Sequence, residues 1–495
     1  MYLFPNDNID KSKIVFFSKQ ENNLVNVWAK IIGEHGNIIE LTELSKNNEY
    51  ESINCWKKFD ELKKYPLSEF ANEAFHYYYM PILFKFVKFQ SKYKTNKVQF
   101  EGKHPDFEYA IGYFKQKGLK VFAQKNLRST RAWIFGNFIF YYLLSQIFSL
   151  ITILYKATIS KRQNNDQANY GCKEFALIHS RSSFRNIYKI RNELVFYYDD
   201  INLKSKPCKN AISFYSIIST SDYILILLSS VVEVHKKIMG IYQDSFSFLG
   251  YRVMIDYLKF FSKRIGHFLL INKAYQNIFK KHQTSDFYSG EKESRYGILA
   301  MKYSNNYKNK AIAIPHGLAY SYNYPLGIFG NEYFTTSEYE KLFLSDQHKN
   351  IQFHFDNPTA NCIYSYNLKK KTSLDIVYFT EPRRPEVNHF IIEKLRNEIK
   401  LCVKIHPLEE VKNYIKYDNV SIIDDFETAI NSNICIARKS TILLEALYNN
   451  SISVAIITDL QDKFDYENLF PSLIDTQIQK AYNINDLLKT LKLYI

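Results

Sequence analysis

Short apolar runs separated by helical patterns fill residues 375–457 of this 495-residue chain, and they constrain its fold more than any other feature. Asp375–Thr380 (DIVYFT), Leu401–Ile405 (LCVKI), Val420–Ile423, Ile434–Ala437 and Ser453–Ile457 are too short for helices and rich in β-branched residues, so they read as strands. Helical patterns over Val387–Ile399, Phe426–Asn431 and Ser440–Tyr448 lie between them. Strands apolar on both faces and joined by helices make a doubly wound parallel sheet. A looser version of the pattern runs through the N-terminal half. Strands are expected at Ile14–Ser18, Ile38–Leu41, Val98–Phe100, Leu119–Ala123, Glu174–His179 and Leu194–Tyr198, with helices over Leu24–Ile32 and from Pro105. A further strand, Ala311–Ile314, runs into Pro315-His316-Gly317.

A chain this long exceeds one ordinary core. The expected fold class is α/β, with two Rossmann-like domains facing a cleft. Their bounds read as 1–290 and 291–480, followed by a C-terminal helix in 481–495 that packs back across the domains. The polar stretch Asn357–Thr372 reads as the interdomain linker, and Gln163–Tyr170 as a loop.

From Ala132 to Tyr155, 24 residues carry no charge, with Arg128 and Arg131 before them and Lys156, Lys161 and Arg162 after. The length suffices to cross a bilayer. However, Asn137, Ser145, Gln146, Ser149 and Thr152 interrupt the run, and basic residues flank both ends. A crossing would also part residues 1–130 from strands expected in the same sheet. A helix lying in the membrane interface is therefore expected, with a buried core helix and a true span as alternatives. The shorter run Tyr223–Val234 reads as a core helix or strand.

The net charge of +15 fits phosphate-bearing substrates or an anionic membrane surface. Lys and Arg are spread along the whole chain rather than gathered in one domain, so nucleic acid is not expected as a partner. The six cysteines form no CxxC pair, and Cys402 and Cys435 sit inside apolar runs as small core residues. The opening MYLFPNDNIDKSK lacks the apolar core of a signal peptide, which points to the cytoplasm.

Ligands of open parallel sheets bind beyond the carboxyl ends of the strands. Polar groups stand at three such places: Pro315-His316-Gly317, Lys404-Ile405-His406-Pro407 and Arg438-Lys439-Ser440-Thr441. Ser440 or Thr441 can cap the helix that follows, and His406 can donate to a phosphate held there. Arg438, Lys439 and Lys404 would supply charge. Thr380-Glu381-Pro382-Arg383-Arg384-Pro385 follows another strand, where Arg383 or Arg384 could reach a diphosphate.

In order and spacing, IAIPHG (312–317), VKIHP (403–407) and RKSTILLEAL (438–447) resemble bacterial surface-polysaccharide transferases of the GT-B type. That group includes polysialyltransferases, capsule Kdo transferases and teichoic-acid glycerophosphotransferases, and the resemblance covers roughly residues 290–460. It implies an acceptor domain at 1–290 and a nucleotide-donor domain at 291–480. The implied reaction is metal-independent and inverting, from a CMP- or CDP-type donor to a capsule or lipopolysaccharide glycan, free or lipid-linked, and it needs no further cofactor. The enzyme would work peripherally on the inner face of the inner membrane. His406, Ser440 and Thr441 would face the donor phosphate, and Glu445 would hold the ribose hydroxyls.

His316 is the first candidate for the base that takes the acceptor proton, with Gly317 allowing close backbone approach. Asp199, Asp200 and Glu101 are the alternatives. The acidic-acidic-Gly triplet of sialyltransferases is missing, and Glu101-Gly102 and Asp199-Asp200 match it only in part. A Gly-Lys-Pro-type turn common in that group is replaced by Asn449-Asn450-Ser451. Two rival classes are a nucleotide-sugar epimerase of similar fold and a non-catalytic, membrane-associated assembly protein.

Overall fold

The structure is a computed structural model. It describes residues 14–17, 38–40, 96–101, 105–123, 131–160, 174–203, 205–248, 251–291, 294–314, 317–318, 330–366, 375–382, 385–458, 462–463, 466 and 470–494. The helix expected at Leu24–Ile32 and the loop at Gln163–Tyr170 lie outside these residues.

Three all-parallel sheets are present among the described residues. The first holds β1 (Ile14–Phe17), β2 (Ile38–Glu40), β3 (Lys97–Glu101) and β4 (Lys120–Ala123), in the order β2-β1-β3-β4. Helix α1 (Pro105–Gln116) connects β3 to β4, and α2 (Arg131–Ser160) follows. The second sheet begins with β5 (Phe175–Ile178), α3 (Arg181–Ile190), β6 (Val195–Tyr198) and the short β7 (Ile212–Ser213). Helices α4 (Thr220–Phe248), α5 (Tyr251–Phe261) and α6 (Ile265–Lys281) then lead to β8 (Phe287–Ser289) and α7 (Arg295–Tyr307). The sheet is completed by β9 (Ala311–Ala313), β10 (Glu332–Phe334), α8 (Glu338–Gln347) and β11 (Gln352–His354). Its strand order is β11-β10-β9-β8-β5-β6-β7.

After α9 (Asn357–Tyr364) comes the third sheet, built from β12 (Ile376–Phe379), α10 (Pro385–Leu395), β13 (Leu401–Lys404) and β14 (Val420–Ile422). It continues through α11 (Phe426–Ile430), β15 (Ile434–Ala437), α12 (Ile442–Tyr448), β16 (Ile452–Ile456), β17 (Gln479–Ala481) and α13 (Ile484–Lys492). Its order is β14-β13-β12-β15-β16-β17. In both larger sheets the chain starts in the middle, runs to one edge, returns beside its first strand and runs to the other. That is the Rossmann-like order, and it leaves a switch point between β5 and β8 and another between β12 and β15. Strands β5, β6, β12 and β15 are buried throughout, which is why they read as unbroken apolar runs. Cys402 and Cys435 are buried within this core, as their apolar surroundings imply.

Several expected boundaries move. A division at 290/291 would separate β8 from β9, which pair directly. Ala311–Ile314 therefore belongs to the second sheet, not the third. The N-terminal half is not one sheet: β1–β4 pair only among themselves, and α1 joins them to the rest by packing on α4 and α5. The expected linker starts with a helix, α9, whose N-cap Asp356 accepts from the Thr359 N–H at 2.7 Å. Residues 367–374 lie outside the description. Helix α13 does not cross between domains. It buries Leu487 and Leu491 against the core of the third sheet.

Helix α2 packs on α4, α5 and α6, and its polar side chains turn inward. Ser145, Ser149, Ile153 and Lys156 are buried at near-i+4 spacing. Ser145 and Thr152 donate to the carbonyls of Tyr141 and Phe148, so they cost the helix no unsatisfied group. A Cβ on Gly266 would lie 2.5 Å from the Ser149 Cα, so α2 and α6 cross too closely for any larger residue. The outer face of α2 carries Phe135, Phe140, Leu143, Ile147, Ile151, Leu154 and Tyr155, each more than half exposed. Tyr223–Val234 is not simply a core element either. It lies in α4 and buries Tyr223 and Val234, but exposes Ile224, Leu225, Leu228, Val231 and Val232 beside α2.

Candidate functional site

At the switch point of the third sheet, Thr380 and Glu381 follow β12, Arg438 to Thr441 follow β15, and His406 stands just beyond the neighbouring β13. The Thr380 hydroxyl accepts from the His406 N–H at 2.9 Å and donates to Glu409 at 2.5 Å, tying two strand ends together. The His406 Nδ1 accepts from the Leu408 N–H at 3.1 Å, which leaves the ring proton on Nε2. Burial lowers the His406 pKa; Glu409 opposes this and Lys404 adds to it. His406 is therefore a neutral imidazole at neutral pH with an N–H to offer. Pro407 beside it is exposed, and Lys404, Ser440 and Thr441 are half-buried. Lys404 Nζ donates to the Ile405 carbonyl at 3.3 Å.

Arg438 does not serve as expected. It is fully buried, and its Nε and Nη2 donate to the two oxygens of Asp462 at 2.6 and 2.8 Å. Lys439 Nζ lies 3.2 Å from the same carboxylate, and the Lys439 N–H donates to Glu381 at 2.7 Å. These cations hold the switch point together rather than waiting for a ligand. The expected capping is weak: Thr441 caps nothing with its side chain, and the Ser440 hydroxyl accepts from the Ile442 N–H at 3.4 Å.

Glu445 is not a solvated helix residue. It is buried, accepts from the Tyr366 hydroxyl at 2.8 Å and lies 3.7 Å from Arg185 on α3. It thus joins the second and third sheets, beside Asn449, which donates to the Tyr364 carbonyl at 2.9 Å. The turn at 449–451 puts Asn450 at φ +55°, a conformation asparagine tolerates. Burial raises the Glu445 pKa, and Arg185 and Tyr366 only partly offset it. A carboxyl raised on folding holds its proton more tightly in the native state, so stability falls as pH climbs from the ordinary glutamate range to the raised value. Glu445→Gln should therefore be at least as stable as wild type at pH 7.5 and show a smaller change between pH 4.5 and 7.5 in urea unfolding. A variant less stable at pH 7.5 and more strongly pH-dependent would contradict this.

A second constellation lies at the carboxyl edge of the second sheet. Asp199, directly after β6, is completely buried. It accepts from the Tyr215 hydroxyl at 3.0 Å, the Ile201 N–H at 3.1 Å and Asn202 Nδ2 at 2.8 Å. His179, directly after β5, turns Nδ1 toward it at 3.4 Å and Nε2 toward the Tyr275 hydroxyl at 2.6 Å. His267 on α6 has Nε2 3.0 Å from Asp199, off the line of a good hydrogen bond, and Nδ1 2.9 Å from the Tyr296 hydroxyl. Tyr296 also accepts from Arg295 at 2.8 Å and stacks on His179 with ring centres 4.0 Å apart. Burial alone would raise the Asp199 pKa, but His267 and His179 outweigh it and hold the carboxyl well below the usual range.

Asp199 therefore cannot meet a substrate directly, and Asp200 is engaged elsewhere. Lys156 of α2 lies 2.5 Å from Asp200, and the Ser213 hydroxyl donates to it at 3.2 Å. Past β8, Glu291 is half-buried and accepts from the Ser294 hydroxyl at 2.6 Å. His179, His267 and Glu291 were not singled out in the sequence, because no short motif contains them. His179 ends an expected strand and could have been found there, whereas Glu291 stands two residues past β8, a strand that no sequence pattern marked. His267 lies mid-helix, and only the fold brings it in.

Pro315, His316, Arg383 and Arg384 lie outside the described residues, as does the side chain of Glu101. A Cβ on Gly317 would meet nothing within 4 Å, so close approach to a described neighbour does not require the glycine. Among the described residues no group of three or more His, Cys, Asp or Glu side chains is placed to hold a metal ion. The site thus belongs to an α/β protein with two Rossmann-like sheets, a polar cluster at each switch point and, among the described residues, one helix long and apolar enough to cross a membrane. The chain matches no protein-family model and no curated protein.

Proposed function

We propose that this protein is a glycosyltransferase of GT-B type that moves a sugar, or a polyol phosphate, from a nucleotide-activated donor to a bacterial surface glycan. The observation that carries the reading is the pair of Rossmann-like sheets with polar switch points, one of them with a neutral His406 N–H beyond β13 and half-buried Ser440 and Thr441 beyond β15. In this reading His406 and the Ser440–Thr441 hydroxyls hold the donor phosphate and Lys404 supplies charge. Glu445 meets the ribose once Tyr366 or Arg185 gives way. Donors to the leaving phosphate gain strength as its charge develops, so they favour the transition state over the bound donor. The nucleotide is of CMP or CDP type, and inverting transfer needs only a base for the acceptor hydroxyl.

The membrane part of the reading rests on α2, which faces its polar residues inward and its apolar residues outward, with the apolar stripe of α4 alongside. A water-facing helix has the opposite arrangement. The same apolar area disfavours an epimerase, which has no use for it. The protein then works peripherally on the anionic cytoplasmic face of the inner membrane, where a lipid-linked acceptor would lie.

The test is thermal stabilisation by CMP, CDP, UDP and GDP, followed by transfer assays with the matching sugar donors. A nucleotide at 100 times its Kd should stabilise by about 2.7 kcal/mol. His406→Ala should remove most of that shift and lower transfer by about 100-fold. No shift with any nucleotide, or an unchanged His406→Ala, would overturn the assignment.

A further inference from the structure

His406 sits on a turn that takes up its polar atoms one by one. Its N–H donates to the Thr380 hydroxyl at 2.9 Å, and its carbonyl accepts from the Glu409 N–H at 2.9 Å. Its Nδ1 accepts from the Leu408 N–H at 3.1 Å, so the ring offers a ligand its Nε2–H.

One half-buried carboxylate, Glu409, anchors this turn to the switch point. Its Oε2 accepts from the Thr380 hydroxyl at 2.5 Å. Its Oε1 accepts from the Tyr414 hydroxyl at 2.5 Å and from Asn388 Nδ2 at 3.1 Å. The two hydroxyl bonds have the length of charge-assisted O–H···O⁻ contacts. Thr380, Asn388 and Tyr414 are all buried, and they come from the end of β12, from α10 and from the chain beyond β13. Asn388 in turn donates to the Glu381 carbonyl at 2.7 Å and accepts from the Tyr378 hydroxyl at 2.9 Å. Burial, and then the bond to Glu409, raise the Tyr414 pKa, so this phenol keeps its proton and stays a donor. Thr380 is the link to the histidine. With its proton committed to Glu409, its hydroxyl must present a lone pair to the His406 N–H. Groups that bind a reacting ligand need such support from behind, because their own rotamers and turns are otherwise loose.

We propose that Glu409 is a positioning residue: through Thr380 it fixes the turn that aims the His406 Nε2–H at the donor phosphate. It rests on the transferase reading above for what His406 meets, and on the hydrogen bonds alone for how His406 is held. Glu409 acts through these neighbours rather than on the substrate. Partners that orient a metal-binding histidine count for about 10–100-fold in affinity, and the same logic applies to a histidine that binds phosphate.

Glu409→Gln keeps the volume but has one acceptor oxygen where the carboxylate has two. Either Thr380 or the Tyr414–Asn388 pair then loses its acceptor. In the full-length protein the change should weaken binding of the nucleotide identified for the wild type by about 10-fold and slow transfer by about 10–100-fold. Thr380→Val, which cuts the link from the other side, should do the same. In a His406→Ala background Glu409→Gln should alter nucleotide affinity by no more than about twofold, because its route of action is gone. Nitrogen-15 NMR of the histidine rings, with His406 assigned by its loss in His406→Ala, should show a single Nε2–H tautomer in the wild type and a mixture in Glu409→Gln. Wild-type nucleotide affinity in Glu409→Gln overturns the proposal, as does an undiminished effect in the His406→Ala background. A wild-type protein that binds no nucleotide overturns the transferase reading instead. An unchanged ring signal in Glu409→Gln would then overturn the positioning role as well.

Discussion

Asp462→Ala is expected to cost about 3–5 kcal/mol of folding stability, because it leaves Arg438 as a buried cation without its bidentate partner. Arg438 is fully buried and Lys439 approaches the same carboxylate, so the variant would press two cations together at the centre of the third sheet. The Glu381 carboxylate beside them would offset this in part. For a domain whose total stability is about 5–15 kcal/mol, that is a large share. Urea unfolding of wild type and variant measures it directly. The double replacement Arg438→Met with Asp462→Leu should regain most of the loss, since removing both charges removes the desolvation cost as well. A single-variant loss below about 1 kcal/mol would show that the pair contributes little. Burial would raise the Asp462 pKa, but the Arg438 hydrogen bonds and the Lys439 charge hold it below its ordinary value. Its contribution is thus complete at neutral pH and fades as pH falls below the ordinary carboxylate range.

The second large effect concerns the membrane. Leu143, Ile147 and Leu228 are 54%, 54% and 75% exposed on the joined outer face of α2 and α4. Changing all three to serine should weaken binding to vesicles of mixed zwitterionic and anionic lipid by about 100-fold. Each side chain would contribute roughly 1 kcal/mol of lipid-buried area, and about 1.4 kcal/mol is a factor of ten. Because the three side chains face away from the core, urea unfolding should change by no more than about 0.5 kcal/mol each. Co-sedimentation at two salt concentrations would separate this apolar part from attraction by basic residues, which salt screens. Binding by the triple variant equal to wild type would remove the outer face of α2 and α4 from consideration as the docking surface.

The regularity of the third sheet was legible in the residues because β12, β13, β15 and β16 are mostly apolar and buried and helices fill the gaps after β12, β14 and β15. His406 and Ser440–Thr441 came from the same reading, since a polar residue directly after such a strand stands at the binding edge of the sheet. Arg438 was misread for a physical reason. An arginine and an aspartate 24 positions apart reveal no pairing in sequence, and a cation at a strand end looks the same whether it is sealed or open. The burial of Glu445 was hidden likewise, because its partners are Tyr366 and Arg185 on α3, far apart in sequence.

The membership of strands in sheets was not legible either. Short parallel strands carry no label for their partner, and β8 and β9 join across the boundary expected at 290/291. The sequence by itself determined the α/β class, most strands of the two larger sheets and the uncharged run within α2, since these follow from local periodicity. Tertiary structure alone decided that the described strands form three sheets, that α2 turns its polar side inward, and that His179, Asp199 and His267 gather at one switch point. Contacts between residues 20 to more than 100 positions apart depend on how elements pack, and no local pattern encodes them.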